Sequence, residues 1–413
     1  MAKLDIFQQV FALSQASNLV GGLTGTEDAL QAEMDSLLPQ YLRKVTGDWK
    51  VVWGPTVWKI DANDSTTSPG NVWYVAKSEA TDGTKGEVYV VAIAATAGAN
   101  SQYDWEQEDI SVSGVVDFSS WKLTTIPGPE YEVDDKKNPY ISLGTATGVY
   151  FLASTPAPQS HVTLPEFLSS LVSSPSTKLI FTGHSLGGAL APTLALALVQ
   201  DGTLGQFKGK VLAYPTAGAT PGNQNFADLF AKTFPRDGQA AYTVWNTNIY
   251  NTLDVVPQAW SLDTTLPQNM WNIPGMYGGN GLVQAVVKAI VQSSAEAPQK
   301  SGIHYFPLQS SPFTGEAPTP PTDLQGFLAD ALFEHMDAYG TFFDLPFPQP
   351  LEGLGSVPNH LVQRGIPVIG EIATAGANMS KEDVVGLLDD SISQADKEAY
   401  FHTYNAKLQP PTE

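Results

Sequence analysis

The chain has 413 residues, none of them cysteine, and 42% of them are hydrophobic. This length and composition provide for a large buried core. The absence of cysteine excludes a disulfide framework, a thiolate nucleophile and a cysteine-based zinc site. The formal net charge is −21, from 42 acidic against 21 basic residues. A field of this sign repels nucleic acid and anionic membrane surfaces, so neither is an expected partner.

The N-terminal stretch MAKLDIFQQVFALSQASNLVGG has interrupted hydrophobicity and lacks the unbroken apolar region of a secretory signal. The longest apolar runs, near 186–199 and 282–291, are shorter than the roughly 20 residues that span a bilayer. The sequence as numbered therefore predicts a soluble protein without a transmembrane segment. The cytoplasm is its default compartment, and secretion would require a signal removed ahead of the first residue. No pattern specifies the oligomeric state.

The first 80 residues predict one long helix followed by two strands. Apolar positions spaced three and four apart predict a helix over residues 7–43, and strands are expected at 50–60 and 71–77. The segment 61–71 between the strands, DANDSTTSPGN, has the composition of a turn. Its acidic cluster at 61–64 resembles part of a calcium loop. The closing Glu at EF-hand spacing is missing, however, which favours an ordinary polar turn.

Predicted strands and helices alternate through the middle of the chain. The strands are expected at 87–94, 178–182, 210–214 and 241–250, and the helices at 163–173, 186–200 and 223–234. This alternation predicts an α/β fold, with a mostly parallel central sheet flanked by crossover helices. Further helices are expected around His335 and at 380–394.

Residues 178–188, KLIFTGHSLGG, place the motif G-x-S-x-G between an apolar strand and a helix. Such a turn lifts the Ser185 hydroxyl clear of the sheet, and side chains at Gly183 and Gly187 would collide with it. The helix that follows directs its free N–H groups and positive dipole end toward an oxygen that becomes negative during acyl transfer. The pattern predicts Ser185 as a nucleophile.

At these residues the sequence resembles the fungal-type, or class 3, lipases, because Thr182–Ala191 (TGHSLGGALA) matches their hallmark in full. Three further stretches resemble the family in the same order: VLAYPTAGATPGN at 211–223, YNTLDVVP at 250–257 and HMDAY at 335–339. The resemblance covers roughly residues 85–345. It implies an α/β-hydrolase fold, hydrolysis of lipid or other carboxylic esters, and no metal or organic cofactor.

A serine nucleophile of this fold requires an acid and then a histidine base further along the chain. Asp254 follows a strand-like segment, at the sheet edge where α/β folds place their sites, and the resemblance gives it the role of the triad acid. Asp263 is the nearest rival, but no strand precedes it.

His335 is the expected base among six histidines, because the resemblance assigns it through its spacing to Tyr339. His304 is the alternative. The others fit less well: His161 precedes the nucleophile, His184 adjoins it, and His360 and His402 lie in the C-terminal tail.

The oxyanion hole of an acyl-transfer enzyme needs two backbone donors. The Leu186 N–H is one by its position after the nucleophile, and the resemblance points to Thr96 as the second. The family strand before this position ends in Arg-Gly, whereas Ala94 and Ala95 stand there in this chain.

Residues 278–292 allow two interpretations. Gln284, Lys288 and Gln292 recur every four residues, so they form a narrow polar stripe on an otherwise apolar helix preceded by glycines. A mobile lid would have this pattern, and so would an ordinary half-buried helix, which is the preferred interpretation.

The whole chain is expected to form a single α/β-hydrolase domain. It would comprise an N-terminal helix and strands at 1–84, a catalytic core at about 85–345 and a C-terminal extension at 346–413. The expected function is carboxylic ester hydrolysis, as a lipase acting on triacylglycerol or a related lipid ester through an acyl-enzyme. An acyltransferase with the same triad and a non-catalytic lipase-like binding module are the alternatives. Acyl-chain length and head-group preference have no recognisable signature in the sequence.

Overall fold

The structure is a computed structural model that describes residues 4–45, 48–79, 86–95, 97, 111–131, 133–279, 281–316 and 319–345. The helix expected at 380–394 and the C-terminal extension 346–413 lie outside the described residues, as does Thr96. The division of the chain into an N-terminal part, a core and an extension therefore stays a prediction.

The described helices are α1 (Ile6–Ala16), α2 (Glu27–Val45), α3 (Leu143–Ser154), α4 (Leu164–Ser170), α5 (Leu186–Gln200), α6 (Gln224–Thr233), α7 (Gly281–Ser294), α8 (Glu296–Lys300), α9 (Leu324–His335) and α10 (Asp337–Phe342). The described strands are β1 (Lys50–Trp58), β2 (Asn71–Glu79), β3 (Glu87–Ile93), β4 (Val115–Asp117), β5 (Tyr140–Ser142), β6 (Lys178–His184), β7 (Val211–Thr216), β8 (Asp237–Ala240), β9 (Thr243–Trp245), β10 (Asn248–Asn251) and β11 (Ser310–Phe313). None of the described helices combines the length and apolarity that crossing a bilayer requires.

Seven of these strands form one sheet in the order β1-β2-β3-β6-β7-β10-β11. The pairs β1–β2 and β2–β3 are antiparallel, and the four remaining pairs are parallel. The mostly parallel sheet with flanking helices confirms the predicted α/β-hydrolase fold.

The sheet is buried on both faces, because successive side chains of a strand point to opposite sides. On β6, Leu179 and Phe181 join the apolar layer that contains α3 and α5, while Ile180 joins the layer that contains α1 and α2. A central strand with both faces covered has a continuous apolar sequence. This is why the segment KLIFT could be predicted to be a strand.

A third apolar cluster includes residues that follow β10 together with residues of α7 and α9. In α7 the residues Val283, Val286, Val287 and Ile290 are buried, whereas Lys288 and Gln292 are exposed. The segment is thus a half-buried helix, a pattern common to both interpretations, so the choice between a lid and an ordinary helix stays a prediction.

The single helix expected over 7–43 is wrong, because the chain turns between α1 and α2. Three glycines fall in this connection, and glycine is unfavourable in a helix interior. The connection is tied to the polar turn beyond β1, since Gly25 N–H donates to Thr67 O and Glu27 N–H donates to Ala62 O.

The strand expected over 241–250 is divided into β9 and β10. Asn246 interrupts it with φ +64°, a left-handed conformation that asparagine tolerates better than most residues. The cluster at 61–64 forms the polar turn that was preferred, in which Asp61 accepts from Asn63 N–H and Asp64 accepts from Thr66.

Candidate active site

Ser185 lies between the last residue of β6 and the first residue of α5, where the motif places it. Its φ of +58° and ψ of −122° lie outside the conformations that a residue with a side chain ordinarily adopts. Two backbone hydrogen bonds hold the turn, from Ser185 N–H to Thr216 O at 3.0 Å and from Gly188 N–H to Ser185 O at 2.8 Å. The strain is therefore maintained by the sheet on one side and by the helix on the other.

Close backbone contacts explain the glycines around this serine. A Cβ at Gly183 would lie 2.2 Å from Gly187 O, and one at Gly187 would lie 2.5 Å from Ile93 O. A Cβ at Gly188 would lie 2.4 Å from Thr216 O. The turn thus packs directly against the ends of β3 and β7, with no room for side chains at these three positions.

Asp254 and His335 form a buried pair close to the carboxyl end of the parallel strands. His335 Nδ1 lies 3.0 Å and 2.9 Å from the two carboxylate oxygens of Asp254. The carboxylate is fully buried, and it also accepts from Val256 N–H at 3.0 Å and from the Tyr339 hydroxyl at 2.8 Å. Asp254 lies just beyond β10, and His335 is the last residue of α9.

His184 connects this pair to the turn that holds Ser185. Its Nε2 lies 2.9 Å from His335 O, its Nδ1 lies 2.9 Å from Thr216 Oγ1, and the two imidazole centroids are 4.7 Å apart. Burial, and then the neighbouring imidazole of His335, hold the pKa of His184 well below its usual value. Because a carbonyl can only accept, the neutral ring carries its proton on Nε2 and donates it to His335 O.

Tyr339 and Asn251 hold Asp254 in position. The sequence analysis gave neither residue a role of its own. The Tyr339 hydroxyl accepts from Asn251 N–H at 2.9 Å and donates to Asp254 Oδ2. Burial, and then the charge of Asp254, raise the pKa of Tyr339 well above its usual range, so the phenol remains a neutral donor. The Asn251 amide oxygen accepts from Leu253 N–H and its amide nitrogen donates to Glu334 O. Asn251 lies in the stretch YNTLDVVP and Tyr339 in the stretch HMDAY. The resemblance of these stretches to the family was the signal that could have identified both residues.

The structure does not bring the rival acid and base into this arrangement. The His304 side chain is 91% exposed, and its Nδ1 lies 2.9 Å from Asp135 Oδ2. Asp263 is exposed and accepts from the Thr265 hydroxyl and N–H, which lower the pKa of its carboxyl. His161 is exposed, and His360 and His402 lie outside the described residues.

The described part of the expected oxyanion hole consists of Leu186 and the chain on either side of Thr96. Leu186 is the first residue of α5, and N–H groups in the first turn of a helix have no partner within that helix. Before Thr96, Ala94 N–H donates to Val72 O at 2.9 Å and Ala95 N–H donates to the side-chain oxygen of Asn18 at 2.8 Å.

A strained serine between a parallel strand and a helix, with a histidine and a carboxylate contributed later in the chain, defines the class of α/β-hydrolase serine hydrolases. The family model described as Lipase (class 3) matches residues 111–263. The matched segment, which contains Ser185 and Asp254, is thus similar to class 3 lipases.

Solved structures are similar to the chain over different lengths. The structure described as M37 lipase is 23% identical, covers 91% of this chain and 100% of its own, and superposes with a TM-score of 0.59. Lipase II from Rhizopus niveus is 16% identical, covers 61% of this chain and 74% of its own, and has a TM-score of 0.36. No curated protein matches the chain. The likeness to the M37 lipase shows the shared fold.

Proposed function

We propose that this protein is a lipase that hydrolyses triacylglycerol or a related lipid ester, with Ser185 as nucleophile, His335 as base and Asp254 as acid. The observation that carries the proposal is the buried Asp254–His335 hydrogen bond, together with the contact from His184, the residue before Ser185, to His335 O. The match of residues 111–263 to the class 3 lipase model and the printed name of the M37 lipase support the substrate class.

In the proposed reaction, Asp254 holds the His335 Nδ1–H and thereby leaves Nε2 as the nitrogen that can take a proton. Nε2 removes the Ser185 proton as Oγ attacks the ester carbonyl, and the carbonyl oxygen becomes negative. Collapse of this intermediate breaks the ester C–O bond, and His335 gives the proton to the departing alcohol. A water molecule then repeats the sequence on the acyl-enzyme and releases the carboxylic acid.

Asp254 stabilises the imidazolium that forms in each half of the reaction. The Leu186 and Thr96 backbone N–H groups would stabilise the negative oxygen, with the α5 dipole adding to their effect. Gly183 and Gly187 have a structural role, because they allow the turn to pack closely enough to present the serine.

Hydrolysis of p-nitrophenyl esters of increasing acyl length tests the proposal. We expect Ser185→Ala and His335→Ala each to lower kcat/KM by about 10³-fold or more. The matched controls are Ser301→Ala and His304→Ala, which alter a buried serine bonded to Pro298 O and the exposed histidine. Controls that lose as much activity as the triad variants, or a Ser185→Ala enzyme with wild-type activity, would refute the proposal.

A further inference from the structure

We propose that Asn18 is a positioning residue for the oxyanion hole, holding the chain that leads into Thr96 through a hydrogen bond to Ala95. The inference rests on the proposed function, because it concerns the second oxyanion donor of that site. It assigns a role in turnover to the connection after α1, which lies outside the segment matched by the family model.

The contact joins two parts of the chain that are 77 residues apart. Asn18 Oδ1 accepts from Ala95 N–H at 2.8 Å, and Ala95 is the residue immediately before Thr96. A backbone N–H at the end of a strand needs a partner, and this one is provided by a side chain instead of by the sheet. The bond fixes the peptide group between Ala94 and Ala95, one residue before Thr96.

Asn18 is itself held in place at the end of α1. Its Nδ2 donates to Ser14 O at 3.2 Å, and its backbone oxygen accepts from Gly21 N–H at 3.0 Å. The helix is anchored to the sheet, since the Tyr74 hydroxyl on β2 donates to Leu13 O at 2.7 Å. A side chain with its own amide fixed in this way presents its oxygen to Ala95 in one orientation.

The opposite side of the same strand end packs against the nucleophile turn. The Ile93 and Ala94 carbonyl oxygens would lie 2.5 Å and 2.7 Å from a Cβ at Gly187. Ala97, on the far side of residue 96, is 4% exposed. The strand end therefore lies between Gly187 on one side and Asn18 on the other, so a change at Asn18 alters one of two supports.

The residues Ala94 and Ala95 explain why the hydrogen bond from Asn18 would matter. In the family that this chain resembles, the same strand ends in Arg-Gly. The chain therefore lacks the arginine side chain that could anchor this position. Catalysis by an oxyanion hole depends on donor position, and displacement by about 1 Å can cost about 10²-fold in rate. Loss of the Asn18 bond should therefore reduce kcat more than it affects substrate binding.

The test uses the full chain with a soluble p-nitrophenyl ester, phenylboronic acid as a tetrahedral adduct of the serine, and thermal unfolding. We expect Asn18→Ala to lower kcat by about 10- to 100-fold, with KM within about twofold and a matching loss of boronic acid affinity. Asn18→Asp keeps an acceptor for Ala95 N–H but loses the donor to Ser14 O, so its kcat should lie between those of Asn18→Ala and wild type.

Gln9→Ala is the matched control, because it removes the acceptor of the Trp49 indole N–H from α1 without touching Ala95. It should lower the unfolding temperature and leave kcat unchanged. The inference is overturned if Asn18→Ala retains wild-type kcat, if Asn18→Asp has no more kcat than Asn18→Ala, or if Gln9→Ala loses as much kcat as Asn18→Ala. Ser185→Ala distinguishes a failure of the proposed function from a failure of the role given to Asn18. An active Ser185→Ala enzyme defeats the proposed function itself, whereas an inactive one beside a fully active Asn18→Ala enzyme defeats only the role of Asn18.

Discussion

Tyr339 uses one hydroxyl to hold two parts of the site, accepting from Asn251 N–H and donating to Asp254 Oδ2. A hydrogen bond to a charged group contributes about 1.5–3 kcal/mol, and a buried N–H left without a partner costs about 1–3 kcal/mol. The phenol therefore contributes both to the stability of the fold and to the orientation of the acid.

For Tyr339→Phe we expect kcat/KM to fall by about tenfold and the free energy of unfolding to fall by about 2 kcal/mol. The activity should fall because the carboxylate that orients His335 loses one of its donors. Ester hydrolysis and urea unfolding measure the two effects. Tyr277→Phe is the control, since its buried hydroxyl donates to Leu253 O and not to the carboxylate. It should lose stability and keep kcat, and an equal loss of kcat in both variants would contradict the role given to Tyr339.

Individual contacts were only partly predictable from the sequence. Tyr339 and Asn251 could have been identified, because they belong to stretches that resemble the family. The Asn18–Ala95 bond was not, because a contact between residues so far apart in sequence arises from the packing of α1 on the sheet and leaves no local pattern.

At the scale of elements, the nucleophile turn depends on how closely α5 approaches the neighbouring strand. A Cβ at Gly188 would lie 2.4 Å from Thr216 O and 2.9 Å from Gly218 Cα, both of them backbone atoms. Backbone atoms at a sheet end cannot move aside cheaply, in contrast to the tip of a flexible side chain.

Gly188→Ala should therefore lower the free energy of unfolding by about 1–2 kcal/mol. Strain from overpacking is typically about 1–3 kcal/mol, and it exceeds the gain of about 1 kcal/mol that alanine brings to a helix. The control is Gly205→Ala, where an added Cβ would meet nothing within 4 Å. Urea unfolding of both variants provides the measurement, and equal stability of Gly188→Ala and wild type would show that the helix can shift without cost.

The elements around the nucleophile were the most predictable part of the fold. The helix expected at 186–200 coincides with α5, because its start is set by a local turn with obligatory glycines. The expected helix over 7–43 failed for the opposite reason. Its apolar spacing continued across glycines whose turn is fixed by distant hydrogen bonds to the segment after β1.

For the molecule as a whole, Glu334 introduces a pH dependence of stability. Its carboxyl is fully buried, and its Oε1 receives no hydrogen bond from the described residues. Burial raises the pKa of Glu334 from 4.5 to about 7, the Asn251 amide opposes the shift, and Asp254 adds to it. No sequence pattern predicted this, because a glutamate in an amphipathic helix is ordinarily exposed.

The native state thus binds the Glu334 proton more tightly than the unfolded chain does. Below pH 4.5 both states are protonated, and between pH 4.5 and 7 only the native state keeps the proton, so stability falls as pH rises. Above pH 7 both states are ionised, and the loss of stability is complete. A pKa shift of this size corresponds to about 3 kcal/mol of stability.

Glu334→Gln should remove this dependence, since an amide has no proton to lose and can still accept from Asn251. Relative to wild type, the variant should gain up to about 3 kcal/mol of stability between pH 5 and pH 8, measured by urea unfolding at each pH. Glu296→Gln, at an exposed residue of α8 beside Lys300, is the control and should follow wild type. A pH-independent difference between Glu334→Gln and wild type would contradict the prediction.

The position of β6 in the sheet has a consequence for how long the strained backbone at Ser185 persists. The strand is hydrogen-bonded to β3 and β7, and further strands lie beyond each of them. Fluctuations that fray β1 or β11 leave these amides paired, so deuterium uptake along β6 should require opening of the entire sheet. The distorted peptide at Ser185 is thus attached to the part of the molecule that opens last.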